Sequence, residues 1–433
     1  MADQPNVLVV LSDQQRWDTV GSYGCPLDLT PNLDALAARG VRFEHAFTCQ
    51  PVCAPARGCL QTGKYATAHG VYRNGIPLPE TERTLAHAFG DAGYATGYTG
   101  KWHLADTRDG PIPPERRGGY RDHWIAADLL EFTSHPYEGR LFGADMEEVR
   151  FEGYRVDATT DLALQFVERR HDRPFYLFVS YLEPHHQNDL NRFVAPDGYA
   201  DRYRSAWVPG DLESRPGDWP SQLADYFGMC RSIDENLGRL LAAVPENTII
   251  LYTSDHGCHF RTRNAEYKRS CHESSIRIPA VIAGPGIARG RVVEQIVSLV
   301  DFPPTLLDAA GLPVAPTMQG RTLAPLWRGD PPVDWRDEAF FQISEAEVGR
   351  GIRTRRWKYS IYAPDRSPRD DSGSDVYQER YLYDLFADPH ERYNLIGRAD
   401  YAEIAAELRA RLIRRIVEAG EPASEVVPAK YPA

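Results

Sequence analysis

The sequence predicts an α/β fold: a mostly parallel sheet flanked by helices, followed by a smaller C-terminal α+β domain. Four short apolar runs are continuous rather than alternating, as strands buried on both faces are. Helical patterns stand between them, and strands that alternate with helices build parallel sheets. Each run also stops at a group of polar residues able to do chemistry. Sheets of this kind bind ligands there, beyond the carboxyl ends of their strands.

The first run, residues 6–13, reads NVLVVLSD and stops at Asp13-Gln14-Gln15. A helix is predicted over 31–39, with Thr30 as cap, Pro31 in the first turn and Gly40 past its end. A second spans 84–92. Residues 93–99 form a short β-like run that ends at Gly100-Lys101-Trp102-His103. A helix over 157–170 carries Leu162, Leu164 and Phe166 on its apolar side. The strand 174–181 then stops at Glu183-Pro184-His185-His186. A helix over 223–244 precedes the strand 248–254, which stops at Asp255-His256-Gly257. A strand and turn at 280–286 and a proline-entered helix at 300–311 follow. The segment GDPPVDWR, 329–336, reads as a boundary and divides the chain into domains 1–335 and 336–433. The second domain is predicted to hold strands at 340–343, 351–362 and 380–385 and a terminal helix over 401–419. Residues 363–379, polar and rich in Ser and Asp, read as a mobile loop. No internal repeat is present.

The 433 residues are 42% hydrophobic and 25% charged, an ordinary globular composition. The net charge of −12 and the lack of a basic block argue against nucleic-acid binding. A protein this acidic must concentrate positive charge locally to handle an anion. The N-terminus, MADQPNVLVVLSD, shows neither the cationic nor the long apolar segment of a secretory signal. No run of about eighteen apolar residues predicts a membrane span. The seven cysteines (25, 49, 53, 59, 230, 258 and 271) are odd in number and contain no CxxC pair. That pattern predicts reduced thiols and a cytoplasmic home. Only five of the 49 basic residues are lysines: 64, 101, 268, 358 and 430. In so arginine-rich a chain, a retained lysine suggests a place where a compact ammonium serves and a planar fork does not.

Residues 51–64 read PVCAPARGCLQTGK. Proline two residues after Cys53 and the helical pattern beyond place the thiol near a helix N-terminus, where free N–H groups and the dipole favour an anion. A buried structural thiol fits Cys230 better, in an apolar helix. A redox pair with Cys49 or Cys59 lacks the usual spacing, and a thiolate zinc site lacks soft ligands nearby.

Cys53-Ala-Pro-Ala-Arg57 resembles the Cys-x-Pro-x-Arg modification motif of the type I sulfatases, in the alkaline phosphatase superfamily. Leu60 and Thr62-Gly63-Lys64 continue that signature. Residues 93–103, GYATGYTGKWH, resemble the second one. Asp13, Ser254-Asp255-His256-Gly257, Lys268 and Glu273-Ser-Ser-Ile-Arg277-Ile-Pro279 follow in family order. Tyr383-Asp384-Leu385, Asp388-Pro389 and Asn394-Leu395 resemble the family's C-terminal region, so the likeness spans the chain.

The resemblance implies an alkaline-phosphatase-like fold, a catalytic domain over 1–335 and a sulfuric ester hydrolase. It implies that a maturation enzyme converts Cys53 to Cα-formylglycine. A hydrated aldehyde offers two hydroxyls: one attacks sulfur in line and expels the alcohol, and deprotonation of the other releases sulfate. Metal ligands are then Asp13, Gln14, Cys53, Asp255 and His256. Oxygen donors suit Ca²⁺ first, while the His256 nitrogen also admits Mn²⁺, with Mg²⁺ a third choice. Arg57, one helical turn after Cys53, would orient the diol. Lys101 and Lys268 would clamp the non-bridging oxygens, with Lys268 also protonating the leaving oxygen. His103 would contact the diol as base. His185, or His186 if the register differs by one, would face the ester.

Many sulfatases carry Asp where Gln14 stands and Asn where His256 stands. The Gln/His set also occurs in phosphonate monoester hydrolases, which leaves a phosphonate monoester or phosphodiester substrate as the alternative, and an inactive anion-binding homologue as a third. Each residue also has a plain structural reading: Asp13 as a cap, Asp255-His256-Gly257 as a turn, His185-His186 as surface residues, Arg57 and Lys64 as a solvated face. His272 is placed near the pocket, and His259, Arg261 and Arg263 at its mouth or on open surface. The loops 104–150 and 187–222, rich in aromatic and Arg residues, would set specificity for a small-molecule or saccharide sulfate ester. No motif names the substrate or the oligomeric state.

Overall fold

The computed structural model describes residues 4–213 and 215–429. Its main sheet contains β1 (Asn6–Ser12), β2 (Val41–Phe47), β3 (Ala95–Lys101), β4 (His123–Ala127), β5 (Ser134–His135), β6 (Glu138–Phe142), β7 (Glu148–Glu152), β8 (Phe175–Ser180), β9 (Thr248–Ser254), β10 (Ala280–Ala283) and β11 (Arg291–Ser298). Their order is β11-β2-β10-β9-β1-β8-β3-β4-β6-β5, with β7 beside β6. The four apolar runs read from the sequence are β1, β3, β8 and β9. They are neighbours at the sheet centre and mutually parallel. Their carboxyl ends therefore share one edge, and Asp13, Lys101, His185 and Asp255 converge there. The burial of β1 shows why the run is continuously apolar: Val7 to Leu11 have no exposed surface, with packing on both faces.

Several strands escaped the sequence reading. In β2, Arg42, Glu44 and His45 are only half-buried, so its apolar pattern is broken. Strands β4 to β7 form an antiparallel edge whose solvated positions carry Glu and Arg. β11 has exposed Arg291 and Val292 at its start.

Helices pack on both faces. The predicted helices exist within a few residues of their expected ends: Pro31–Ala38, Leu85–Asp91, Arg155–Val167, Trp219–Ala243 and Phe302–Ala309. Thr30 does not cap the first of these. Its hydroxyl accepts instead from the Gly21 N–H, at 2.9 Å. Asp234, from the helix Trp219–Ala243, takes the free Asn32 and Leu33 N–H groups at 3.0 and 2.8 Å.

The second sheet holds β12 (Glu338–Ile343), β13 (Gly349–Thr354), β14 (Trp357–Tyr362), β15 (Val376–Asp384) and β16 (Glu425–Val427), in sequence order. The segment 351–362, expected as one strand, is two. The chain reverses at Arg355-Arg356, and β13 pairs antiparallel with β14. The loop expected over 363–379 is shorter, because β15 already begins at Val376. The terminal helix runs from Ala402 to Glu418. Phe340, Ile352, Tyr359 and Leu382 share one apolar cluster with Val7, Val9 and Leu11, so the two sheets have a common core. All seven cysteines are free thiols. No helix among the described residues is long and apolar enough to cross a membrane.

Gly100 lets β3 approach β8. Its φ is +108°, and a Cβ there would lie 2.0 Å from the Ser180 carbonyl oxygen. Gly100→Ala should therefore cost at least about 2 kcal/mol in a denaturant titration and shift Lys101 next to it. An unchanged midpoint would mean that the strand spacing is not fixed by this contact.

Candidate active site

Cys53 is the first residue of the helix Cys53–Thr62, and Val52 before it is extended. The Ala54 N–H, one of the free donors of that helix end, is taken by Asn74 Oδ1 at 3.1 Å. The thiol lies at the floor of a pocket of about 750 Å³ and is itself 1% exposed. Around Sγ stand Lys268 Nζ at 2.9 Å, His256 Nε2 at 3.3 Å and Asp13 Oδ1 at 3.5 Å. Burial and Asp13 push the thiol pKa up, but Lys101, Lys268 and His256 outweigh them and bring it to about 7.

One ligand atom from each of Asp13, Cys53, Asp255 and His256 lies within 4.8 Å of the others, and all four residues are buried. His256 Nδ1 faces the Gly257 carbonyl at 3.0 Å and must donate to it. In the neutral ring, Nε2 then turns a lone pair towards Asp13 Oδ1 (3.6 Å) and Asp255 Oδ1 (3.5 Å). Gln14 joins this set through a strained backbone, with φ +72°. Its N–H donates to Asp255 Oδ1 at 3.0 Å and its carbonyl accepts from Tyr226. Its amide nitrogen faces Cys258 Sγ, while Oε1 is buried without a partner. Asp255 Oδ2 is likewise unsatisfied: Arg57 Nε is 3.3 Å away but off the hydrogen-bond line. Two carboxylates and one imidazole that face one another, with an unpartnered amide oxygen on the residue hydrogen-bonded to Asp255, fit a hard divalent cation. In the protein alone, burial and Asp13 push Asp255 up to about 6. Burial acts against Asp13 too, but Lys101, Lys268 and Arg57 hold it well below the usual carboxylate range.

Arg57 is no surface residue. It donates to Asp13 Oδ2, the Lys101 carbonyl and Ser180 Oγ at 3.1, 2.9 and 2.7 Å. Lys101 is fully buried, with Nζ 2.8 Å from Asp13 and 3.1 Å from Glu131. It stands behind the carboxylate and does not line the pocket, whereas Lys268 does. His103 lines the pocket with φ +60° and an unpartnered Nδ1. Burial and Lys101 push its pKa down to about 4. His185 and His186 both reach the pocket wall, their rings stacked 4.5 Å apart. Burial and Lys268 lower both, so both are neutral at neutral pH. His185 Nδ1 donates to the His186 carbonyl at 2.7 Å.

Other expectations are corrected. His272 does not line the pocket; it is buried between Ser270 and the Tyr383 hydroxyl, each at 3.2 Å. His259 is buried beneath it and holds the Lys268 carbonyl at 3.0 Å. Arg261 lies over the Tyr267 ring, and Arg263 donates to the His390 and Glu391 carbonyls. None of these four lines the pocket, and His259 braces the lysine segment directly. Lys64 pairs with Glu82 at 2.6 Å. Sequence reasoning missed Glu131 and Asn74, which sit in segments without a motif; only their positions identify them.

Residues 5–312 match the sulfatase family model, and residues 265–418 match one described as N-sulphoglucosamine sulphohydrolase, C-terminal. The ulvan-active sulfatase of Formosa agariphila is 31% identical over 445 residues, spanning 96% of this chain and 82% of that protein. A solved complex of a protein with its substrate D-glucosamine-2-N,6-O-disulfate is 26% identical, with a TM-score of 0.79, over 96% of this chain and 98% of that one. The phosphonate monoester hydrolase of Agrobacterium radiobacter shares the fold, with a TM-score of 0.70 and 24% identity over 96% of each chain.

The cation ring around Sγ gives a direct test in unmatured, metal-free protein. The Cys53 thiol should alkylate with a midpoint near pH 7, and Lys268→Met should move that midpoint upward, because a charge that favours the thiolate is gone. A midpoint that stays put in the variant would contradict the assigned contact.

Proposed function

The chain belongs to the sulfatase family and is a sulfuric ester hydrolase, and from this premise we propose that it removes sulfate from a saccharide at position 53, with Cys53 matured to Cα-formylglycine. The observation that carries the reading is the floor of the pocket. One nucleophile position is ringed by an ammonium, an imidazole and carboxylates, all nine-tenths or more buried. The likeness to carbohydrate sulfatases supports a sugar sulfate over a simple aryl sulfate.

Asp13, Gln14, Asp255 and His256 would hold the cation, with Ca²⁺ favoured by the oxygen donors. Bound there, a divalent ion supplies charge neutralisation for the sulfate and acidifies an oxygen at position 53. Arg57 and Lys101 keep Asp13 ionised for that purpose and lock it in one orientation. Lys268 Nζ, beside the nucleophile and open to the pocket, binds a non-bridging sulfate oxygen. It is also the proton donor within reach of the leaving oxygen, because His103 and His185 are neutral. Neutral His103, with its free Nδ1, accepts the proton whose loss from position 53 releases sulfate. Neutral His185 turns its other nitrogen to the ester side.

Cys53→Ala should abolish turnover of a sulfate ester while thermal unfolding stays nearly unchanged. A mass spectrum of active protein should show residue 53 with one sulfur and two hydrogens lost and one oxygen gained; an intact thiol in working enzyme would sink the mechanism. Chelation should remove activity, and Ca²⁺ should restore it. The acid limb of kcat/KM should lie below the ordinary imidazole value, because burial depresses His103 to about 4. Rates on phosphodiester or phosphonate substrates that exceeded those on sulfate esters by orders of magnitude would overturn the substrate class.

A further inference from the structure

We infer that Arg73, Arg108 and Arg369 form a second anion subsite at the rim of the pocket. The saccharide then carries a further anionic group, a carboxylate or a second sulfate, beside the sulfate that is removed. The inference rests on the reading of this pocket as a saccharide sulfate site.

Depth separates the two subsites. Cys53 and Lys268 are 1% and 5% exposed at the floor, whereas Arg73 is half-buried and Arg108 and Arg369 are exposed, all lining the same pocket. Arginines elsewhere in the site are neutralised: Arg57 by Asp13, and Arg269 by Glu266 and Glu345 at 2.9 and 2.6 Å. Arg73, Arg108 and Arg369 have no carboxylate partner among the described residues. Arg73 donates to the Asn74 carbonyl, and its Nε is buried without any partner.

The opposing charge is small. Glu131 is engaged by Lys101, and Glu266 and Glu345 by Arg269. Asp106 is the lining carboxylate without a cation, and the lining histidines are neutral. Three free guanidinium groups thus face one carboxylate, in a protein whose net charge is −12. Guanidinium forks without a carboxylate partner on one pocket lining are free to bind an anionic ligand, and their geometry matches carboxylate and sulfate oxygens.

The placement is built into the backbone. The Tyr72 hydroxyl donates to the Asp370 carbonyl at 3.0 Å, next to Arg369. The Asn74 N–H donates to Glu345 Oε1 at 2.7 Å, and the Glu345 N–H to the Pro368 carbonyl at 2.9 Å. These bonds hold the loop between β14 and β15 against the turn that carries Arg73. Arg108 comes from another segment, with φ +58° and its carbonyl accepting from the Leu129 N–H at 3.2 Å. Phe132, 55% exposed on the same lining, offers an apolar face to a sugar ring.

The test uses matured, metal-loaded enzyme and three disaccharides that share the scissile sulfate. One has a neutral neighbour, one a uronate and one a second sulfate; 4-nitrophenyl sulfate reports the reaction itself. The wild type should prefer a dianionic disaccharide, and the favoured arm identifies the group. The ratio of kcat/KM, dianionic over neutral, should fall about tenfold for each of Arg73→Ala, Arg108→Ala and Arg369→Ala, as loss of a charge-assisted hydrogen bond predicts. The fall should appear mainly in KM, recover in part with Lys, and shrink at high salt. No preference in the wild type, or a ratio unmoved in all three variants, overturns the subsite alone. Failure to turn over any sulfate ester overturns the underlying activity.

Discussion

Asp13 is an ionised carboxylate with no contact with water, and much of the site follows from keeping it so. Burial alone would neutralise it. Lys101, Arg57 and Lys268 supply the opposing field, and their positions come from three different elements: the end of β3, the helix that begins at Cys53 and the segment after β9. The same field lowers the Cys53 thiol, and it adds to the burial that lowers His103 and His185. One charge balance, together with burial, therefore sets the protonation states of Asp13, Cys53 and two imidazoles. Arg57 shows the coupling most directly, since its guanidinium touches Asp13 and the Lys101 carbonyl at once.

The second sheet takes part in this balance at a distance. Lys358, fully buried on β14, pairs with Glu273 at 2.8 Å and Glu391 at 2.5 Å. Arg353 forks onto both oxygens of Glu273, each at 3.1 Å. Glu273 begins the short helix a few residues after Lys268, so the network anchors the segment that presents the lysine to the pocket. Loops of the same sheet contribute Arg369 and Glu345 to the pocket lining. The C-terminal region is thus part of the site, which a shared apolar core makes rigid.

Three of the five lysines, 101, 268 and 358, are at most 5% exposed, each against an acidic side chain or the Cys53 sulfur. A compact ammonium can meet these close partners as a point charge, where a planar guanidinium would present a wider fork. Lys64 is half-buried on Glu82 and follows no such rule. Lys430 lies outside the described residues.

The sequence by itself determined the parallel centre of the sheet and the residues at its edge, because strands buried on both faces must be continuously apolar and a polar break at their ends stands out. Asp13, Lys101, His185 and Asp255 were legible for that reason, and Cys53 and Arg57 by the Cys-x-Pro-x-Arg motif at a helix start. Only the tertiary structure decided what each does. It put Lys101 behind Asp13 and Lys268 in front of Cys53, and it moved His259, His272 and Arg263 from the pocket into its support. It also drew Glu131, Asn74 and the rim arginines into the site from segments without a motif. Such residues carry no local signal, because their role depends on which distant chain segment folds against them. A hydrogen bond formed across hundreds of residues leaves no periodicity to read.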